Sequence, residues 1–394
     1  MCVVGSGTRF VSGISYYTYF LSLALKERHD VVVILMRHLI PTRWYPGRRR
    51  VGHDVMAYDI AGEVPTFDGV DWWGLPSVVR ALLFLRSQRP DVLVLQWWSA
   101  SVLPWYLLLA LQALRRRCVV VIELHEDLDT GEARLPLIGG LARRGLKALC
   151  RQAATLVVHS GWDRDRMSAS LDINPDRFCV IPHGPYPILA ATEREEGHPQ
   201  RPGIIQDRLE PTASSPSARP RLTVLYFGTI RPYKGLEHLI GAFEQVRRDS
   251  GLPWKLLVVG ETWEGWKLPL ELIERSPYRD DVELVNRYVT DHQVAGFFQR
   301  ADIVALPYLR SSASGPLAIA QAFGLPAVVT AVGGLVEAVA SYTGGVLVQP
   351  GDPDELARGL LAASELSGRR HETPITWEAV AQSYADIFAA VAPR

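Results

Sequence analysis

Residues 222–236 constrain the fold more than any other stretch of this chain. They read LTVLYFG, then TIRPY, then KGL. The apolar run stops at Gly228 and resumes with the helical spacing of Leu236, Leu239, Ile240 and Phe243, which predicts strand, short loop and helix. Arg231 and Lys234 then stand at the carboxyl end of a strand and the amino end of a helix, where α/β sheets bind phosphates. Helix amides point into such a loop, the helix dipole favours negative charge, and the two side chains add mobile donors. A solvated loop whose cations meet only water has the same local pattern.

A second stretch repeats the arrangement. DIVALP, residues 302–307, reads as a buried strand, and SSASGPLAIAQAFGLPAVVT follows it. Ser311, Ser312, Ala313, Ser314 and Gly315 lead into a helix with Pro316 in its first turn, where the missing N–H costs nothing. Gly324 and Pro326 close that helix before the strand AVVT. A small-residue loop leaves bare amides, at Gly315 to Leu317 in particular, that a diphosphate or a sugar hydroxyl can approach. A third feature, Gly333, Gly334, Leu335 and then Glu337, again follows a strand.

Together the G-x-x-R-P-Y-K-G loop, the S-G-P-L-A-x-A-x-A-F-G-L-P run and the GGL-x-E turn resemble the nucleotide-binding domain of GT-B retaining glycosyltransferases, family 4 (group 1) in particular. The likeness covers nearly the whole chain and is strongest over 222–350. It implies two Rossmann-like, doubly wound domains facing a cleft, a nucleotide-sugar donor as substrate, and no metal or other cofactor. It also implies an N-terminal acceptor-side domain over 1–187, a linker or insertion over 188–220, and a nucleotide-sugar-binding domain over 221–375. The last helix, 376–394, would return to the first domain and make it discontinuous.

Length and composition agree with that organisation. The 394 residues are long enough for two domains, and 48% hydrophobic content supports two cores. A formal net charge of zero argues against nucleic-acid binding, which leaves a basic footprint. Cys2, Cys118, Cys150 and Cys179 are scattered, with no C-x-x-C pair, and read as small core residues in a reducing, cytoplasmic compartment. No signal peptide is apparent, and the longest apolar run, 102–114, contains Pro104 and is too short to span a bilayer.

The N-terminal half carries the remaining candidates. GSGTRFVSGIS lies between the strand at Cys2 to Val4 and a helix containing Tyr16, Tyr19, Phe20, Leu23 and Ala24. It lacks a clean G-x-G-x-x-G. In the resembled family a glycine such as Gly13 lets backbone approach the donor phosphates; a glycine packing helix against strand is the alternative. Loops with Arg48, Arg49 and Arg50 come next, then FDGVDWWGLPS and VLVLQWWSAS. Trp72, Trp73, Trp97 and Trp98 fall near strand ends, and an aromatic face such as that of Trp98 can stack on an acceptor sugar, core packing being the other reading.

The strand VVVIEL delivers His125 and Glu126, followed by Asp129, Gly131 and Glu132, a bunching of polar groups expected of a site. The family resemblance places a histidine here against the transferred sugar, which His125 matches, with Glu126 and Asp129 toward the acceptor. A helix with Arg143, Arg144, Lys147 and Arg151 at helical spacing offers a face for an anionic membrane surface, or simply a solvated one. TLVVHS and CVIPHG then end in His159, Ser160, His183 and Gly184.

The second half continues with strands KLLVVG, VELVNRYV, DIVALP, AVVT and GVLVQ, then helices over 354–363 and 377–391. The resemblance implies transfer of a hexose with retention to a sugar, lipid-linked or polysaccharide acceptor in glycan or glycolipid assembly. Arg231, Lys234 and the amides at Gly315 to Leu317 would carry the leaving-group charge, Gly13, Ser314, Pro316 and Glu337 would complete the donor contacts, and His125 would meet the sugar. The paired-carboxylate machinery of a retaining hydrolase is not seen. Two family positions differ: glutamates commonly stand eight residues apart before the G-x-P, and Ser311 and Ile319 occupy those places. The arginine usual directly after the first glycine is replaced by Thr229, with Arg231 two positions on. An epimerase of nucleotide sugars and a non-catalytic relative are therefore the competing functions.

Overall fold

The computed structural model describes residues 1–7, 13–38, 58–71, 75–126, 136–187, 222–263 and 265–391. Arg48, Arg49, Arg50, Trp72, Trp73, Asp129, Gly131, Glu132 and the 188–220 segment lie outside the described residues. The chain divides into two compact units. One comprises Met1–Gly184 with Ser311–Ser314 and Ile375–Arg394; the other comprises Pro185–Arg310 with Gly315–Pro374.

The first unit runs β1 (Cys2–Ser6), α1 (Gly13–Lys26), β2 (Val32–His38), β3 (Thr66–Asp71), α2 (Leu75–Gln88), β4 (Val92–Trp97), α3 (Leu103–Arg115), β5 (Val119–Leu124), α4 (Pro136–Gln152), β6 (Thr155–Val158), α5 (Gly161–Leu171) and β7 (Phe178–Val180). Its strands lie in the order β3-β2-β1-β4-β5-β6-β7 and every pairing is parallel. Parallel strands are apolar throughout because helices cover both sheet faces. VLVLQW in β4 is buried at every position, Gln96 included. The edge strand β3 is the most polar, TFDGVD, and is held to β2 by Arg37, whose Nε donates to Asp71 Oδ1 at 3.0 Å.

The second unit runs β8 (Leu222–Phe227), α6 (Leu236–Asp249), β9 (Trp254–Val259), α7 (Leu268–Arg275), β10 (Val282–Val285), α8 (Asp291–Gln299), β11 (Ile303–Leu306), α9 (Gly315–Phe323), β12 (Ala327–Thr330), α10 (Leu335–Ala340), β13 (Gly345–Val348) and α11 (Pro353–Leu366). Its sheet, β10-β9-β8-β11-β12-β13, is again wholly parallel. The strand expected over VELVNRYV stops at Val285, because the next residue turns to bond elsewhere. Asn286 Oδ1 accepts from the Thr262 amide and hydroxyl, both at 3.0 Å. The core gathers Phe243 from α6, Trp254 and Leu256 from β9 and Leu360 from α11, all at full burial.

The final helix, α12 (Trp377–Val391), belongs to the first unit. Trp377 stacks on Phe20 of α1 at 5.7 Å and meets Tyr17 edge-on at 5.3 Å. The first unit ends at Gly184, short of the expected residue 187, since the Tyr186 amide donates to the Ala318 carbonyl at 3.0 Å within the second unit.

In both sheets the order reverses beside the first strand, at β1/β4 and at β8/β11. Connections leave in opposite directions there, so the carboxyl ends of those strands border a gap. Beside the reversal in the second unit, two glycines let the loops after β8 and β9 approach closely. Gly260, following β9, has φ +155°, and a Cβ there would lie 1.8 Å from the Gly228 carbonyl oxygen. Gly260→Ala should therefore lower stability by about 1–3 kcal/mol, read as a lower midpoint in chemical denaturation. An unchanged midpoint would show that the two loops part without cost.

Candidate functional site

The loop after β8 is fixed before its cations are placed. Gly228 donates to the Val259 carbonyl at 3.0 Å, Ile230 to Glu261 at 2.9 Å, and Leu309 to Tyr233 at 2.8 Å. Pro232–Lys234 form a single 3-10 turn, and Gly235 closes it in the left-handed region, φ +63°. Only glycine fits, since a Cβ there would stand 2.0 Å from the Pro307 carbonyl oxygen. Gly235 also begins α6 without a side-chain cap, so that helix opens toward the loop.

Arg231 and Lys234 lie on this loop beside aromatic rings. The Lys234 Nζ sits 3.6 Å from the Tyr308 ring centroid, and the Arg231 guanidinium 5.2 Å from Tyr233 and 5.6 Å from Trp263. Arg310, which sequence reading passed over, brings a third cation to Tyr233 at 5.0 Å. Cation–π contacts of this kind help to hold such side chains in place. Arg310 was legible only as one more loop arginine; the bond between Leu309 and Tyr233 joins its loop to that of Arg231.

The start of α9 adjoins the same place. A Cβ on Gly228 would lie 3.8 Å from the Pro316 ring, so the β8 loop and the first turn of α9 are neighbours. Gly315 and Pro316 are partly exposed, while Leu317 is 2% exposed and anchors the turn in the core. Ser314 is buried. Glu337 is exposed in the first turn of α10. At the two positions where the family commonly has glutamate, Ser311 Oγ donates to the Ala313 carbonyl at 2.8 Å and Ile319 is buried.

In the first unit, His125 follows β5 and its amide donates to the Trp97 carbonyl at 2.9 Å, extending the ladder by a residue. Strand periodicity puts Glu123 and His125 on one face. Glu123 is fully buried, and in register with it on β4 stands Gln96, whose Nε2 donates to Glu123 Oε2 at 2.9 Å. Thr18 Oγ1 donates to Gln96 Oε1 at 2.5 Å, which sets the amide's orientation. His125 Nδ1 is 3.0 Å from His159 Nε2, and His159 Nδ1 is 3.1 Å from the Ile181 carbonyl oxygen. His125 Nε2 approaches Glu123 Oε2 at 3.7 Å, and the Tyr17 ring stands edge-on to His125 at 4.8 Å.

Charge in this buried group is tightly managed. Burial alone would raise the Glu123 carboxyl, but His125, His159 and Tyr17 outweigh it and hold it below its ordinary value. Burial, with His125 adding to it, lowers His159 to about 4; burial, with His159 adding to it, lowers His183 to about 3. Glu123, His125 and His159 are also the described residues with the composition of a metal site. His125 Nδ1 and His159 Nε2 lie within hydrogen-bond reach at 3.0 Å, while His125 Nε2 and Glu123 Oε1 have no hydrogen-bond partner among the described residues.

The other N-terminal candidates separate. Trp98 is 6% exposed and belongs to the hydrophobic core, edge-on to Tyr106 at 6.3 Å, so it has no open face for a sugar and takes the packing role. Gly13 begins α1 at an exposed position where, among the described residues, a Cβ would meet nothing within 4 Å. Glu126 is exposed, one residue beyond His125. On α4, Arg143, Arg144 and Arg151 are exposed, whereas Lys147 pairs with Asp172 at 2.7 Å. Among the described residues no helix is long and apolar enough to cross a membrane. Tyr17, Gln96 and Glu123 were missed from sequence, although an acid and an amide inside otherwise apolar strands were the available signal.

Comparison with known proteins agrees with this layout. Residues 12–184 match the family described as "Glycosyl transferase 4-like domain" and residues 221–365 match "Glycosyl transferases group 1". A D-inositol 3-phosphate glycosyltransferase from Segniliparus rotundus is 33% identical over 402 residues, covering 95% of this chain and 84% of its own. The enzyme of that name from Salinispora arenicola is 32% identical over 215 residues, 48% of each chain, so the match spans about half of that relative. Among solved structures, the catalytic domain of starch synthase IV from Arabidopsis thaliana, bound to ADP and acarbose, superposes with a TM-score of 0.68 at 14% identity, covering 100% of this chain and 99% of that one. Anabaena HepE in complex with UDP and glucose gives 0.60 at 16% identity, covering 99% of each. At such identities these two speak for the fold alone. With two parallel, doubly wound sheets, both family matches in order along the chain and a relative aligned over most of both lengths, this protein belongs to the group 1 (family 4) glycosyltransferases of the GT-B fold.

Proposed function

We propose that this protein transfers a hexose, with retention, from a nucleotide-sugar donor to a saccharide or lipid-linked acceptor without needing a metal ion. The observation that carries the reading is the grouping of Arg231, Lys234 and Arg310 around Tyr233, at the switch point β8/β11 and beside the first turn of α9. Transfer leaves a nucleoside diphosphate, and fixed cations with helix-terminal amides stabilise the charge that develops on it. His125 is assigned to the transferred sugar and Glu126 and Asp129 to the acceptor, on the family resemblance; Gly13, Ser314, Gly315, Pro316, Leu317 and Glu337 are assigned to the donor. Relatives named for D-inositol 3-phosphate make a phosphorylated cyclitol one acceptor to try beside saccharides. Where the acceptor is lipid-linked, Arg143, Arg144 and Arg151 of α4 are the surface offered to anionic headgroups.

Ser311 and Ile319 favour one competing reading, a relative that binds nucleotide but does not turn a donor over. Donor binding separates the two. A ligand that binds only the folded protein raises its melting temperature, so a panel of UDP-, GDP-, ADP- and dTDP-sugars in chelator should include one that stabilises. Arg231→Ala and Lys234→Ala should each reduce kcat/KM for that donor by about 10²–10³, in chelator as in its absence. Unchanged rates in both variants would remove the leaving-group assignment, while binding without turnover by the wild type would establish the non-catalytic reading.

A further inference from the structure

The buried group around Glu123 lies one step behind the residue assigned to the sugar, and its hydrogen bonds leave little freedom in where protons sit. The Ile181 carbonyl can only accept, so His159 Nδ1 carries a hydrogen toward it at 3.1 Å. His159 is neutral at physiological pH, its burial having lowered it to about 4, so its Nε2 holds a lone pair. The 3.0 Å contact with His125 Nδ1 is then a bond donated by His125. That settles Nδ1 of His125 as a donor and turns Nε2 toward the Glu123 carboxylate at 3.7 Å, an attractive approach when Nε2 also carries a hydrogen, since a carboxylate can only accept.

The carboxylate is itself held. Gln96 donates to Oε2 from the neighbouring strand, and its amide is oriented by Thr18 of α1. Tyr17 from α1 and Tyr384 from α12 both face Glu123, and burial followed by the Glu123 charge keeps their hydroxyls protonated. His183 completes the enclosure, with its ring 5.4 Å from His159 and 4.6 Å from Tyr17. Elements from both ends of the first unit's sequence therefore converge on one acid that sequence reading left unassigned.

We propose that Glu123 is a positioning residue: with His159 it fixes the His125 ring in a single orientation, with Nδ1–H donated to His159 and Nε2–H directed at the carboxylate. The inference deepens the functional reading and rests on it for the role of His125. No bond to substrate is made by Glu123, which acts through the imidazole. The arrangement restricts the ring to one pose before any sugar arrives, so no orientation has to be found during transfer.

The decisive measurement is ¹⁵N NMR of protein labelled in its histidine rings, with no donor present. The expected result is a protonated Nδ1 on both His125 and His159, a protonated Nε2 on His125, an unprotonated Nε2 on His159, and displacement of the His125 signals in Glu123→Gln. An unprotonated Nδ1 on His125 in the wild type would overturn the proposal, and this holds even if the variant fails to fold. So would a divalent ion retained stoichiometrically by the purified protein and bound through these nitrogens. In transfer assays Glu123→Gln should lower kcat by about 10- to 100-fold while leaving donor KM within about twofold. Wild-type kcat, or a loss confined to KM, would refute positioning. If the wild type transfers no sugar at all, the functional reading fails, while the ring spectra still decide the arrangement.

Discussion

Winding a parallel sheet outward in both directions from its first strand is the constraint on which the rest of this molecule depends. Each reversal, at β1/β4 and β8/β11, sends the following connections to opposite faces and leaves the strand ends between them uncovered. Arg231 and Lys234 follow β8, the start of α9 follows β11 and Gln96 stands on β4, with Glu123 and His125 on and after the neighbouring strand β5. In the second unit, glycines let the loop after β8 approach its neighbours closely, Gly228 against Gly260 and Gly235 against Pro307. In the first unit, polar side chains stand on apolar strands, Gln96 and Glu123, sealed beneath His125.

The two units solve the problem of holding charge in different ways. Arg231, Lys234 and Arg310 keep partial contact with solvent and are steadied by aromatic faces, an arrangement that costs little desolvation. Glu123 has no exposure, so its charge must be met by hydrogen bonds and by neighbouring imidazoles. Such a group is worth little to stability compared with an apolar replacement, and its value is more naturally one of orientation. Cations steadied at a partly exposed site fit the role proposed for them at a diphosphate, and a buried acid fits the positioning role proposed for Glu123.

Much of the fold was legible in residues alone, for reasons that differ between elements. The β8 loop and the α9 start follow from apolar runs interrupted by glycine and proline, signals that are local and strong. The strand over VELVNRYV was read too long because Asn286 bonds to Thr262, a partner no local pattern reveals. Trp98 was read as a surface for sugar because an aromatic near a strand end looks alike whether its face is open or covered, and burial among Tyr106 and its neighbours decides the matter. Arg310 was overlooked because its neighbour in space, Tyr233, is remote in sequence.

Sequence by itself determined the alternation of strand and helix and the placing of Arg231 and Lys234 at a strand's carboxyl end, because each rests on periodicity or on a turn's steric demands. Tertiary structure decided which charges meet: three cations at one tyrosine, and Gln96, Glu123, His125 and His159 in one buried chain of contacts. The physical reason is that a parallel sheet aligns residues from strands tens of positions apart. Their register, Gln96 opposite Glu123, exists only once the strands have paired.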